Sequence, residues 1–240
     1  MVRAAEQVDF LRNCLLTSQL VRDLEPATTD ALARLARIEV HADGAPVQRR
    51  DEVMTFSGVI VSGGIQSSIT SPDGYVFSVS IMRRGAFFGS LGLLESTPSV
   101  WDCRAFGETQ MVTVRNRDFQ ALMPRHPDLV MLLAKANNYR LRKAYAMMAN
   151  VVLDSLDRRL RRMLLMLIEA PGDGNAGAVP EIAITQEVLG QFVKGSRPSV
   201  NKALRSLERA GIIEIRYGLI RVLDAPALRH GFENEVFLVM

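Results

Sequence analysis

The sequence predicts an α+β chain in three parts: a β-rich N-terminal half with flanking helices, one long helix, and a small helical domain that ends in a hairpin. Short alternating runs punctuated by Gly, Asp-Gly and Pro fill residues 39–118. A 3-4 repeat, apolar apart from Asn138, then runs from Met131 to Val152. Two short capped helical patterns and two short apolar runs occupy residues 184–222. The expected boundaries are 1–127, 128–153 and 154–240.

The first 38 residues read as helices. Leu11, Leu15, Leu16 and Leu20 recur at helical spacing, and Leu32, Leu35 and Ile38 do so again after Pro26, with Thr28-Thr29-Asp30 as the expected N-cap. Beyond them lie the runs Val59–Val61, Ile65–Ile69, Tyr75–Ile81 and Thr109–Val114, separated by Gly63-Gly64 and Pro72-Asp73-Gly74. Many short strands with a turn signal roughly every 8–12 residues predict a β-roll or jelly roll, that is, a double-stranded β-helix. Asp73-Gly74 between two alternating runs predicts a hairpin.

Composition narrows the class. Apolar residues make up 48% and charged residues 23% of 240, which suits a globular chain. With 29 basic and 26 acidic residues the net charge is only +3, so any charge that meets nucleic acid must be local. Cys14 and Cys103 have no CxxC neighbour, which argues against a disulfide framework and against a four-cysteine zinc or iron–sulfur site. Two cysteines suit a reducing cytoplasm. The N-terminus mixes charges among its apolar residues and does not read as a signal peptide, and no run predicts a membrane span. There is no phosphate-binding P-loop, no HExxH and no GxSxG, and the chain is not expected to be an enzyme.

The repeat in the long helix is Met131, Ala134, Asn138, Leu141, Tyr145, Met148 and Val152, an a/d seam that asks for a partner helix and predicts a homodimer. Asn138 on that seam sets register. After Asp154 a second helix is expected from Leu156 to Ala170, with Leu160, Met163, Leu164, Leu167 and Ile168 inward, and a loop from Pro171 to Gly177.

Residues 184–222 carry the chemistry. Thr185 caps a short helix that starts at Gln186, Lys194-Gly195-Ser196 form a turn, and Ser196 caps a second helix from Arg197 to about Ala210. Pro198 is tolerated because the first turn has no donor to lose. Val200, Ala203, Leu204 and Leu207 point inward at i, i+3, i+4, i+7. Pro198, Lys202, Arg205 and Arg209 take the opposite face, flanked by Ser199 and Asn201, with Arg197 at the tip. Arg and Lys can bond guanine O6/N7, Asn can pair with adenine, and Ser can take phosphate. Gly211 ends the helix, and Ile212–Ile215 and Leu219–Val222 form a two-stranded wing. In that order these features define a winged helix-turn-helix for double-stranded DNA.

Three segments resemble the CRP/FNR family of bacterial regulators: Phe87–Glu95 followed by Trp101, which resembles its phosphate-binding cassette; Asp157–Leu165, its first DNA-domain helix; and Ile184–Ile213, its helix-turn-helix. The resemblance implies a cyclic-nucleotide-binding-like β-roll, base reading by Arg197, Pro198 and Lys202, and phosphate contacts near Thr185, Gln186, Ser196 and Ser199. It implies an effector pocket around Phe88, Gly89, Ser90, Leu91, Pro98, Ser99 and Val100. In the turn, Lys194 takes the place usual for glycine. The cassette also departs from cyclic-AMP-binding members. Ser90 stands where they carry a ribose-binding Glu, and Pro98 where they carry a phosphate-binding Arg, so tight cyclic AMP binding is not expected. Arg104 offers a substitute charge but is expected on a strand facing solvent. Heme stays open: His41, His126 and His230 supply ligand chemistry without a recognisable ligand pattern. Cys103 is the candidate redox group.

The reading is a homodimeric regulator on a palindromic site, with a hinge near Leu153-Asp154 and RNA polymerase as a further partner of an activator. The competing reading is a ligand-binding or protein-interaction module with a vestigial DNA-binding domain.

Overall fold

The computed structural model describes residues 2–74, 76–169 and 179–232. It groups them into two compact units, residues 2–69 with 79–141 and residues 70–78 with 142–232.

The N-terminal unit opens with α1 (Val2–Leu15), α2 (Gln19–Arg22) and α3 (Pro26–Leu35). The expected cap is corrected here: α3 starts at Pro26, Glu25 takes the N-cap, and Thr28 and Thr29 lie buried inside the helix. Proline at the first position needs no donor, so the helix begins earlier than the Thr-Thr-Asp signal suggests. Ile38 is corrected as well, to the strand β1 (Arg37–His41).

The strands continue with β2 (Pro46–Gln48), β3 (Phe56–Thr70), β4 (Val76–Arg83), β5 (Phe87–Phe88) and β6 (Asp102–Arg115). The helix α4 (Ser90–Glu95) follows β5, and α5 (Asn116–Leu122) follows β6. The sheet order is β1-β6-β3-β4, with β2 on β6 and β5 on β3. Gly63-Gly64 is not the strand break that the sequence suggests. The β3–β6 register shifts between Ile60 and Gly64, and Gly63 sits at φ +68 as a bulge inside one long strand. Asp73-Gly74 does lie in the β3–β4 hairpin turn, with Gly74 at φ +83; Tyr75 lies outside the described residues.

Alternation along these strands builds two cores. Val59, Phe87, Val112 and Val114 face the helices, where they meet Leu11, Leu15, Leu32, Phe119, Leu129, Leu132 and Leu133. Their neighbours Ile60, Phe88 and Met111 face the other way, with Met54, Ile65 and Cys103, and Trp101 and Met82 pack against them. Successive strand residues point to opposite faces, so one sheet serves both cores.

The long helix α6 (Asp128–Leu153) has the expected bounds. Its Leu129, Leu132, Leu133 and Ala136 are buried in the helix-side core. The C-terminal unit contains α7 (Leu156–Glu169), β7 (Glu181–Ala183), α8 (Gln186–Val193), α9 (Arg197–Arg209), β8 (Ile213–Arg216), β9 (Leu219–Val222) and α10 (Ala225–Arg229). The helix α7 packs on α8, α9, α10 and β7. It buries Leu160, Leu164 and Leu165, while Met163, Leu167 and Ile168 are only half-buried, which rotates the expected inner face. The expected two-stranded wing has a third strand, in the order β7-β9-β8. Ala170 and the predicted loop Pro171–Gly177 lie outside the described residues.

Candidate nucleic-acid interface and effector pocket

The helix pair is set by its caps. Thr185 Oγ1 accepts from the Val188 N–H at 3.2 Å, which starts α8. Ser196 Oγ accepts from the Ser199 N–H at 3.4 Å and lies 2.8 Å from Ser199 Oγ, which starts α9. Between them Lys194 takes a left-handed conformation at φ +50, and the Gly195 N–H donates to Gly190 O at 3.1 Å. The turn therefore bends at a lysine, and Gly195 is small because a Cβ there would lie 2.8 Å from Leu156 Cδ1 and 2.9 Å from Val200 Cγ2.

Helix α9 divides as expected. Val200, Leu204 and Leu207 are buried, with Ala203 half-buried. Arg197, Pro198, Ser199, Asn201, Lys202 and Arg205 are all exposed on its outer side, as are Thr185 and Ser196; Gln186 is half-buried. Arg205 is not a free cation. Its Nη1 donates to Glu208 Oε2 at 2.5 Å, and Glu208 Oε1 accepts from the Ile215 N–H at 3.1 Å. Arg205 accordingly holds the Glu208 carboxyl below its ordinary value. Glu208 was not singled out from the sequence, because a lone glutamate beside arginines gives no signal of the wing N–H it serves. At the wing tip Gly218 sits at φ +67 and Tyr217 is fully exposed.

The junction after α6 is also built from charge. Asp154 Oδ1 accepts from Arg158 Nε at 2.8 Å and its Oδ2 from Arg162 Nη2 at 2.9 Å, while its backbone carbonyl accepts from Arg159 Nη1 at 2.6 Å. The expected hinge residue is thus gripped by the first turns of α7.

The seam of α6 is open. Met131, Leu141, Tyr145 and Met148 are 59%, 51%, 62% and 64% exposed, and Ala134 and Asn138 are exposed beside them. The Val152 side chain lies outside the described residues.

The cassette divides into an inner and an outer part. Phe88, Gly89 and Ser90 are buried. Gly89 has φ +93, and a Cβ there would lie 2.7 Å from Phe56 O and 2.8 Å from Ser57 Oγ. Only glycine fits so close to backbone in that conformation. Leu91, Pro98 and Val100, expected with them around an effector pocket, are exposed in the single chain. Ser99 is half-buried, its backbone pairing with Asp51 and Glu52 and its hydroxyl donating to Trp101 O at 2.7 Å. Two residues that the sequence reading passed over stand near the inner part, Asn137 and Arg140. They continue the core stripe Leu129–Leu133–Ala136, and an arginine on such a stripe is the signal that could have found them.

Cys103 and His126 both lie against protein. Cys103 is fully buried, and burial pushes its thiol up to about 11, with Ser67 at 3.5 Å. His126 Nδ1 lies 2.9 Å from Thr28 Oγ1, which itself donates to Asp128. Among the described residues there is no cluster of metal-ligating side chains, and no helix is long and apolar enough to cross a membrane. Arg104 lies exposed on β6, as expected.

The fold and the helix pair define a transcription regulator that binds DNA through a winged helix-turn-helix. Residues 38–126 match the cyclic nucleotide-binding domain, and residues 158–230 match the Crp-like helix-turn-helix domain. The chain belongs to the CRP/FNR family of transcription regulators and is not an enzyme. It is similar to a CRP-like cAMP-activated global transcriptional regulator of Mycobacterium tuberculosis, 24% identical over 89% of this chain and 96% of that one. It also resembles the cAMP-activated global transcriptional regulator CRP of Salmonella typhimurium, 28% identical over 64% of this chain and 74% of that one. Among solved structures, the c-di-GMP responsive regulator CLP of Xanthomonas campestris superimposes with a TM-score of 0.71 at 16% identity, covering 82% of this chain and 99% of that one. FixK2 of Bradyrhizobium japonicum does so with a TM-score of 0.70 at 17% identity, covering 81% and 96%.

Proposed function

We propose that this chain is a homodimeric regulator that reads a palindromic operator and does not respond to cyclic AMP. The observation that carries the reading is the outer face of α9, where Arg197, Asn201 and Lys202 are exposed together beside the Ser196 cap. Arg197 and Lys202 read bases, Asn201 supports them, and Thr185, Gln186, Ser196 and Ser199 take phosphates. The open apolar seam of α6 supports a dimer, and two-fold symmetry would set the recognition helices about 34 Å apart on DNA. If the regulator activates, RNA polymerase is its further partner.

The curated relatives named above are cAMP-activated. Against carrying that effector over stand Ser90 at the buried end of the cassette and Pro98 in solvent, neither of which offers a charge.

The test is to incubate purified, ligand-free protein with fragmented DNA of its own genome at near-physiological salt and to sequence what is retained. One enriched palindrome, unchanged by added cyclic AMP, is the expected result. Retention without sequence preference favours a vestigial DNA-binding domain, and enrichment only with cyclic AMP overturns the effector reading.

A further inference from the structure

Beyond β9 the chain returns to α7. Asp224 caps α10 by accepting from the Ala227 N–H at 2.8 Å, and Leu228 is buried. Gly231 then takes φ +88, and the Phe232 N–H donates to Arg229 O at 2.9 Å. A left-handed residue reverses the chain there, and glycine adopts that conformation freely. The Gly231 carbonyl accepts from Arg158 Nη1 at 3.1 Å, and the Phe232 side chain is fully buried.

The Phe232 ring covers two cations. The guanidinium carbons of Arg158 and Arg162 lie 4.5 and 4.9 Å from its centroid. These arginines are i and i+4 on α7, so their like charges repel. Asp154 accepts from both and neutralises one charge. The electron-rich face of Phe232 meets the charge left over, which an aliphatic side chain would not. The Asp154 and Arg162 side chains are only 9% and 12% exposed, and withdrawal from water strengthens this attraction. On the next position of α7, Arg159 donates from Nη1 to the Asp154 carbonyl at 2.6 Å and from Nε to Val193 O at 2.8 Å. Val193 ends α8, directly before the Lys194 turn. Asp154 is thus linked to Phe232 through Arg158 and Arg162, and to the helix-turn-helix through Arg159.

We propose that Phe232 is a positioning residue for operator binding: its ring clamps Arg158 and Arg162 onto Asp154, which holds the end of α6 and the start of α7 at one angle. The part that concerns DNA rests on reading the chain as a dimer on a palindrome. A stiff junction fixes the distance between two recognition helices and so accepts one half-site spacing, whereas a loose junction accepts several.

Two measurements on the full chain test this, the first without DNA. Hydrogen exchange reads the junction, where the Arg159 N–H donates to Ser155 O at 2.9 Å. Phe232→Leu should speed exchange of the amides of residues 154–159 by about tenfold, and Phe232→Tyr, which keeps the ring, should match the natural chain. The amides of Val200–Leu207 should stay protected in every variant. Faster exchange throughout α7 and α9, or none at 154–159, overturns the proposal. In an Asp154→Asn background the clamp has lost its target, so Phe232→Leu should add no further change; additive effects overturn the proposal. Anisotropy titration then compares the selected palindrome with versions carrying one or two inserted base pairs between the half-sites. The natural chain and Phe232→Tyr should lose about a hundredfold in affinity on the inserted sites, and Phe232→Leu about tenfold or less. Equal discrimination by Phe232→Leu and the natural chain overturns the proposal. A natural chain that selects no palindrome overturns the dimer reading alone, and hydrogen exchange then decides the clamp.

Discussion

Glu208 joins the recognition helix to the wing: one carboxylate oxygen accepts from the Ile215 N–H at 3.1 Å while the other holds Arg205. Glu208→Gln keeps an acceptor for Ile215 and releases Arg205. On non-operator DNA the variant should bind more tightly, with a salt slope steeper by about 0.9 for one added phosphate contact. Fluorescence anisotropy over a range of salt measures this, and an unchanged slope means that Arg205 already reaches DNA. The carboxyl titrates below its ordinary value, so its contribution to folding is present above the ordinary pKa and is lost as pH falls through the depressed one. Acid melts of Glu208→Gln should lack that component.

Arg197→Ala and Lys202→Ala should each cost about 1–3 kcal/mol on the selected operator, roughly tenfold to a hundredfold in affinity at matched salt. Binding to unrelated duplex should fall much less. Equal losses on both duplexes would make the two residues phosphate contacts rather than base readers.

Leu141→Glu with Tyr145→Glu should separate the subunits without unfolding them, since both side chains are more than half exposed in the single chain. Sedimentation velocity should show a monomer, and operator affinity should drop by about a hundredfold or more as the second half-site stops helping the first. A variant that stays dimeric excludes the seam.

Gly89→Ala should destabilise the N-terminal unit by about 2–4 kcal/mol, combining the left-handed backbone penalty with overpacking against Phe56 O and Ser57. Urea denaturation measures it. A change within a few tenths of a kcal/mol contradicts the close approach.

Cys103 has a raised pKa, so its share of stability is complete below the ordinary thiol value of 9.0 and is lost as pH rises toward about 11. That share amounts to about 3 kcal/mol at most. Natural protein should lose stability between those values faster than Cys103→Ala, and a thiol reagent at neutral pH should leave Cys103 unmodified until the chain unfolds. Rapid modification of the native chain would restore it as a redox candidate.

The C-terminal half was read well from sequence because its signals are local. Thr185, Ser196, Pro198 and Gly211 fix helix ends within a few residues of themselves, and the inward set Val200, Leu204 and Leu207 follows from helical period alone. The N-terminal half was read less well because long-range pairing decides it. Gly63 reads as a break, yet pairing of β3 with β6 on both sides absorbs it as a bulge. The strand β7 is three residues long and shows itself only by pairing with β9. The seam of α6 was legible as a stripe, whereas the bond from Arg140 to the Phe87 carbonyl was not, because it joins residues 53 apart in sequence.

Phe87 and Phe88 are consecutive, yet their rings serve opposite sides of one sheet: Phe87 lies 6.2 Å from Phe119 among the helices, and Phe88 lies 6.0 Å from Phe56 inside the roll. The carbonyl of Phe87, in the peptide that joins them, is also the acceptor for Arg140. That peptide is a shared bearing. Crowding inside the roll, a swing of the arginine and a shift of the helix layer all load the same bond, and close packing leaves none of them a way to relax alone.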